Sequence, residues 1–203
     1  MAKEKQRIFE QTYASYLADI GQIDFLAKAD LLGVVAVDGA LVIPLFDQTY
    51  RLSREGIVAE QDEELTTAGK VMLCKYVLTC PSELPESEDR LVTYREFRDS
   101  GPLTSYFTTN TNKTIEISFS GNISALKKKG LEIGGKLLTT DSYDVSLEFN
   151  AFPRIPIVLN FNDCDDLFPA VCSILYRASA EKFLDMECLA MTGTLLTGKL
   201  ISS

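Results

Sequence analysis

Residues 161–170 read FNDCDDLFPA, with four oxygen donors inside five positions. Asn162, Asp163, Asp165 and Asp166 stand in one short loop between two apolar runs, 155–159 and 171–176. Carboxylates that close raise one another's pKa unless a cation or an arginine neutralises them. The functional reading is a hard-cation site, or a paired acid and base. The structural reading is a solvated acidic turn, its aspartates capping loop amides and pairing with Arg154 or Arg177. That is the commoner fate of such a cluster.

A second candidate is YREFRDSG at 94–101. Arg95 and Arg98, set among aromatics at a turn, could clamp a ligand carboxylate or phosphate. Local pairing with Glu96 and Asp99 is the simpler account.

Three sharper motifs fail on their own terms. Gly130, Gly135 and Lys136 have the spacing of a phosphate-binding P-loop, but lysines precede the stretch and Leu137 follows where Ser or Thr should hold magnesium. A helix end with a glycine turn, the helix stopping at Gly130, explains the same residues. Asp163 and Asp165 after an apolar strand resemble an aspartyl nucleophile, yet the remaining chain lacks the lysine and second acidic pair that chemistry needs. A calcium loop starting at Asp163 would need glycine where Phe168 stands and a bidentate acid where Ile174 stands.

The chain contains no histidine. Ser-His-Asp and Cys-His catalysis and histidine-ligated metals are thereby excluded, and acid–base chemistry would need a shifted carboxylate, lysine, tyrosine or cysteine. The 5 cysteines have no two-residue spacing, and their odd number argues for reduced thiols. Cys164, Cys172 and Cys188 could converge on a metal, but cysteine is more often a small buried hydrophobe.

The elements that must position these residues follow from periodicity. Residues 5–20 place Ile8 or Phe9, Tyr13, Tyr16, Leu17 and Ile20 on one helical face. A short helix near 22–31 ends at Gly33, and β-branched runs flank Asp38-Gly39, a dipeptide suited to a tight hairpin. Two or three antiparallel strands are expected there. The segment 62–81 reads as the central buried helix, opened by acidic residues and closed before Pro81. Residues 81–90 read as an exposed loop. Residues 102–120 fit either a helix or a strand. Tyr143, Val145, Leu147 and Phe149 alternate as a half-buried strand. Pro156 confines itself to a strand start or edge. The segment from Ala180 reads as helix. The sum is an α+β fold, a mainly antiparallel sheet with helices packed on it, in one compact domain spanning 1–203.

The net charge of -9 argues against binding nucleic acid. No run is long and apolar enough for a bilayer, and residues 1–13 lack a signal-peptide core, so a cytoplasmic location is expected.

TYREFRDSGPL, then GGK, then the stretch from Phe152 to Ala190 resemble a prokaryotic family catalogued only as domain of unknown function 3786. The specific correspondences are Pro153 to Pro156, Asp165 to Pro169, Leu175-Tyr176 and Leu184 to Glu187. Leu167 stands where that family usually has an acid, and Arg177 where it usually has aspartate. The resemblance implies an anaerobic setting, and some members carry a four-cysteine iron–sulfur module that has no counterpart here. It implies no activity.

The leading expectation is therefore a non-catalytic accessory protein that binds a small molecule or metallocofactor. Its pocket would be formed by Asp163, Asp165, Asp166 and Arg154, with Arg95 and Arg98 close by. A protein-interaction module is the second expectation, and a carboxylate-dependent, metal-assisted hydrolase or lyase the third. Neither the ligand nor the oligomeric state is readable.

Overall fold

The computed structural model describes residues 2–61, 65–85 and 90–202. The fold is α+β, built on two antiparallel sheets and one continuous hydrophobic core. Helix α1 (Ala2–Gly21) opens the chain and α2 (Ala29–Leu32) ends at Gly33, whose left-handed backbone caps it. Asp38 and Gly39 take φ of 49° and 74°, so β1 (Val35–Val37) folds back on β2 (Ala40–Leu45) through the turn the dipeptide suits. With β3 (Gln48–Ser53) and β4 (Gly56–Ala59) the first sheet has four strands rather than two or three, in sequential order.

Between β2 and β3 lies an outlier. Phe46 has φ of 55°, a left-handed conformation that costs a bulky side chain energy. Its amide donates to the Ala151 carbonyl at 3.1 Å and ties the two sheets together.

Helix α3 (Thr67–Leu78) is buried on most sides, with Val71, Met72, Leu73, Cys74, Tyr76 and Val77 all in the interior. The Thr66 hydroxyl caps it by accepting the Gly69 amide at 3.2 Å. The acidic residues expected to open this helix, 62–64, lie outside the described residues. So do 86–89 of the expected loop, in which Ser82, Glu83 and Leu84 are exposed.

The second sheet runs in the order β5-β9-β8-β7-β6. Its strands are β5 (Leu91–Thr93), β6 (Lys136–Leu137), β7 (Val145–Phe152), β8 (Ile155–Asn162) and β9 (Val171–Arg177). Val145, Leu147 and Phe149 are buried, whereas Tyr143 precedes the strand and is largely exposed. Pro156 is the second residue of β8, and pairing with β9 begins at Ile157, so its missing N–H falls at the strand start.

The ambiguous segment is helical. A short α4 (Thr104–Thr108) passes through a π-helical turn, Thr109–Lys113, into α5 (Thr114–Phe119). Ile115 and Phe119 are buried, while Ile117 between them is 81% exposed, which is helical and not strand spacing. α5 also turns Glu116 onto β9, where its Oε1 accepts the Cys172 amide at 3.0 Å and its Oε2 meets Lys113 at 2.6 Å. β5 pairs only with residues 175–177 of β9, so this buried carboxylate satisfies an amide that β5 does not reach.

Helix α6 (Ile123–Glu132) continues past Gly130, where a stop was expected, and the chain turns at Gly134, with φ of 84°. Gly130 is there for packing: a Cβ would lie 2.6 Å from Leu147, and one at Gly135 would lie 2.5 Å from Phe149. The glycines that mimic a P-loop thus let α6 sit close on β7.

Helix α7 (Met186–Ile201) begins later than expected, after a 3-10 turn at Ala178–Lys182 and the buried pair Phe183 and Leu184. It docks on β9 and α4. The Tyr176 hydroxyl donates to the Leu189 carbonyl at 3.1 Å, and a Cβ at Gly193 would fall 2.5 Å from Phe107.

Candidate functional site

The acidic turn is held together by its own backbone. Asp163 Oδ1 accepts the amides of Gly121 at 2.6 Å and Cys164 at 2.8 Å. Burial opposes ionisation of Asp163, but these amides outweigh it and keep the carboxyl below its ordinary range. Asp144 accepts the Asp163 amide, and Asn162 accepts the Asp144 amide. Asp165 Oδ1 accepts the amides of Leu167 at 2.7 Å and Phe168 at 2.8 Å. Asp166 is exposed.

Two of the three carboxylates expected to gather a ligand are therefore committed to loop amides, as in the structural reading. Among the described residues no group of three or more acids or thiols is disposed to hold a metal ion. The three cysteines considered as ligands diverge: Cys164 is exposed, while Cys172 and Cys188 are buried in β9 and α7.

Arg95, Arg98 and Arg154 do not answer that charge. Arg154 Nε donates to the Leu31 carbonyl at 3.0 Å and its Nη2 to the Asp30 carbonyl at 2.9 Å. It is a cap on the C-terminal end of α2, where a cation opposes the helix dipole. Glu96 pairs with Arg90 at 3.0 Å, not with Arg95, and accepts the amide and hydroxyl of Thr93. The Thr93 amide, then the Arg90 guanidinium, hold the Glu96 carboxyl at about 2. Arg95 and Arg98 are exposed. Arg98 borders a groove with Lys75, Glu181 and Asp185, and that groove shares no lining residue with the acidic turn.

A better-formed hollow lies elsewhere. An apolar cleft of about 320 Å³ opens between α1, α3 and α7. Phe9, Leu45, Met72, Met191 and Leu195 form much of its wall, and Lys199 is the charged side chain that lines it. Lys199 Nζ lies 2.7 Å from Asp47 Oδ1, in the turn beside Phe46. The two side chains are only 16% and 28% exposed. Phe9 and Met191 also border an adjoining hollow of about 260 Å³ beneath α1, which Val71 and Cys188 line as well.

Helix α1 roofs both spaces and packs along α3. Ile20 is buried, but Phe9, Tyr13, Tyr16 and Leu17 are only half-buried. Its anchors are polar and aromatic: the Tyr13 hydroxyl accepts the Ile57 amide at 3.2 Å, and the Lys75 ammonium lies 5.3 Å from the Tyr16 ring centre.

Against this geometry, the family model described as "Domain of unknown function (DUF3786)" matches residues 24–199. The chain belongs to that family. No curated protein and no solved structure matches it. The match takes in α2 to α7 and both sheets, and α1 precedes it. Two cleft walls, α3 and α7, are thus family elements, and the third is not part of the match. Among the described residues, no helix is long and apolar enough to cross a membrane.

Proposed function

We propose that this member of the DUF3786 family is a non-catalytic binding protein whose ligand is small, largely apolar, and seated in the cleft between α1, α3 and α7. The observation that carries this reading is a concave, mostly apolar space with one charged pair at its edge, the usual make-up of a small-molecule site. Its polar side chains are hydroxyls and an ammonium already joined to a carboxylate, which suits holding a ligand more than transforming one. A metallocofactor has less support, because the donor atoms around the cleft are not metal ligands. Four buried thiols and one exposed thiol, all unpaired, fit a reducing compartment such as the cytoplasm, and an anaerobic host.

The test is thermal. Octanol, a neutral apolar probe, is expected to raise the melting temperature in proportion to occupancy. Met191→Trp, which fills the cleft, is expected to abolish the gain while leaving the unliganded protein folded. No gain at any soluble concentration, or a gain indifferent to Met191→Trp, overturns the reading.

A second reading, an interaction module, is favoured by one feature. Leu167 and Phe168 are 83% and 68% exposed on an ordered tip, and Val171 beside them is 54% exposed. A photo-crosslinker at position 168 should then yield a discrete adduct in host cells, absent when it is placed at exposed Val58. Equal labelling from both positions removes this reading.

A further inference from the structure

We infer that the cleft takes an amphiphile with an anionic head, a carboxylate being the simplest, and that this head replaces Asp47 on Lys199. The inference rests on the reading of the cleft as a ligand site and adds the ligand's chemical class. Lys199 is the charged side chain on the cleft lining, and with only 16% of that side chain exposed its charge calls for an anion beside it. Asp47 now supplies one at 2.7 Å. Asp47 is less dependent on the pair, being 28% exposed in a hairpin turn from which its carboxylate can swing into solvent.

Exchange of one carboxylate for another on the same ammonium is nearly balanced in the head groups. What tips it is the tail: Asp47 brings no apolar surface into the cleft, whereas an amphiphile removes its chain from water at roughly 25 cal/mol per Å². The turn that carries Asp47 is also the one held in an unfavourable conformation at Phe46. Strained backbone of this kind collects at ligand clamps and switch segments. A cationic head would meet Lys199 first and be repelled. A neutral head would leave the Asp47–Lys199 pair in place and gain only from its tail.

Calorimetric titration of the full chain with octanoate, octanol and octylammonium separates these cases. In Asp47→Asn, where no carboxylate has to leave the ammonium, octanoate should bind at least about tenfold tighter than octanol, the value of one charge-assisted hydrogen bond. Lys199→Met in that background should reduce octanoate to the level of octanol and Lys199→Arg should restore the preference, while the parent, which must first release Asp47, should bind octanoate more weakly than Asp47→Asn does and octanol equally. Melting curves of the variants show that each is folded. Equal affinity of Asp47→Asn for octanoate and octanol, a preference that survives Lys199→Met, or tightest binding of octylammonium by the parent overturns the head-group assignment alone. Failure of all three probes to bind overturns the cleft reading with it.

Discussion

Asp165 and Phe168 close a turn on each other: the Asp165 carboxylate accepts the Phe168 amide at 2.8 Å, and the Asp165 amide donates to the Phe168 carbonyl at 2.9 Å. The acidic knot is thus a scaffold for an apolar tip. Asp165→Ala should cost about 1 kcal/mol, the usual loss when a side chain stops capping amides, and should speed hydrogen exchange at Leu167 and Phe168. Asp166→Ala should stay within about 0.5 kcal/mol of the parent. Equal losses in urea titrations of the two variants would show that the amide bonds are not what holds the turn.

Tyr76 joins three elements. Its hydroxyl donates to the Leu32 carbonyl at 2.7 Å and accepts the Arg154 amide at 3.2 Å, and its ring stacks on Phe152 with centres 4.4 Å apart. Tyr76→Phe keeps the stack and strands a buried carbonyl and amide, so denaturant unfolding should show a loss of about 1–3 kcal/mol. Tyr106→Phe, at a half-exposed ring, is the control and should be near neutral.

Asp185 caps α7 through the Cys188 amide at 2.9 Å and meets Lys75 at 3.1 Å. Burial raises its carboxyl, but that amide and the lysine outweigh burial and hold it below the ordinary value. A carboxyl depressed in the folded state stabilises fully above its unfolded pKa, near about 4, and loses that contribution as pH falls through the lower folded value. Asp185→Ala should therefore cost about 1 kcal/mol at neutral pH, chiefly from the cap, since a pair with one side chain 43% exposed is screened. The gap between parent and variant should close in strong acid. A gap that widens on acidification would contradict this.

The thiols divide sharply. Burial pushes Cys74 up to about 12, raises Cys80, and drives Cys172 and Cys188 higher still, whereas Cys164 is exposed. A thiolate reagent at neutral pH should modify one cysteine quickly, mapped to Cys164 by mass spectrometry, and the rest only on unfolding. A second fast site would refute the burial described.

Local signals were readable where a residue type has one conformational use. Asp38-Gly39 marked its hairpin, and the dense apolar run of α3 marked an interior helix. Ile115, Ile117 and Phe119 defeated pattern reading because spacings of two and four satisfy a strand while the outer pair also satisfies a helix. Gly130 looked like a helix end because nothing local announces Leu147 lying against it. The acidic turn stood out by charge density, yet that density serves backbone amides. Leu45, Met72, Met191 and Lys199 passed unnoticed, and Phe9 stood out only as part of a helical face. They are ordinary residue types scattered along the chain, and only the packing of α1, α3 and α7 with the first sheet brings them together.

The π-helical turn at Thr109–Lys113 lets one near-continuous rod aim Phe107 at Gly193 and Glu116 at the Cys172 amide. Such a bulge spends one residue beyond the ordinary α repeat. Deleting one position within it would return the turn to ordinary α-helix and leave the downstream face in place, and only a further deletion would rotate that face by about 100°. Ile117 would then arrive where Glu116 now stands, and a strand amide would face hydrocarbon in place of oxygen. Across relatives, this segment should vary in length by no more than that one residue.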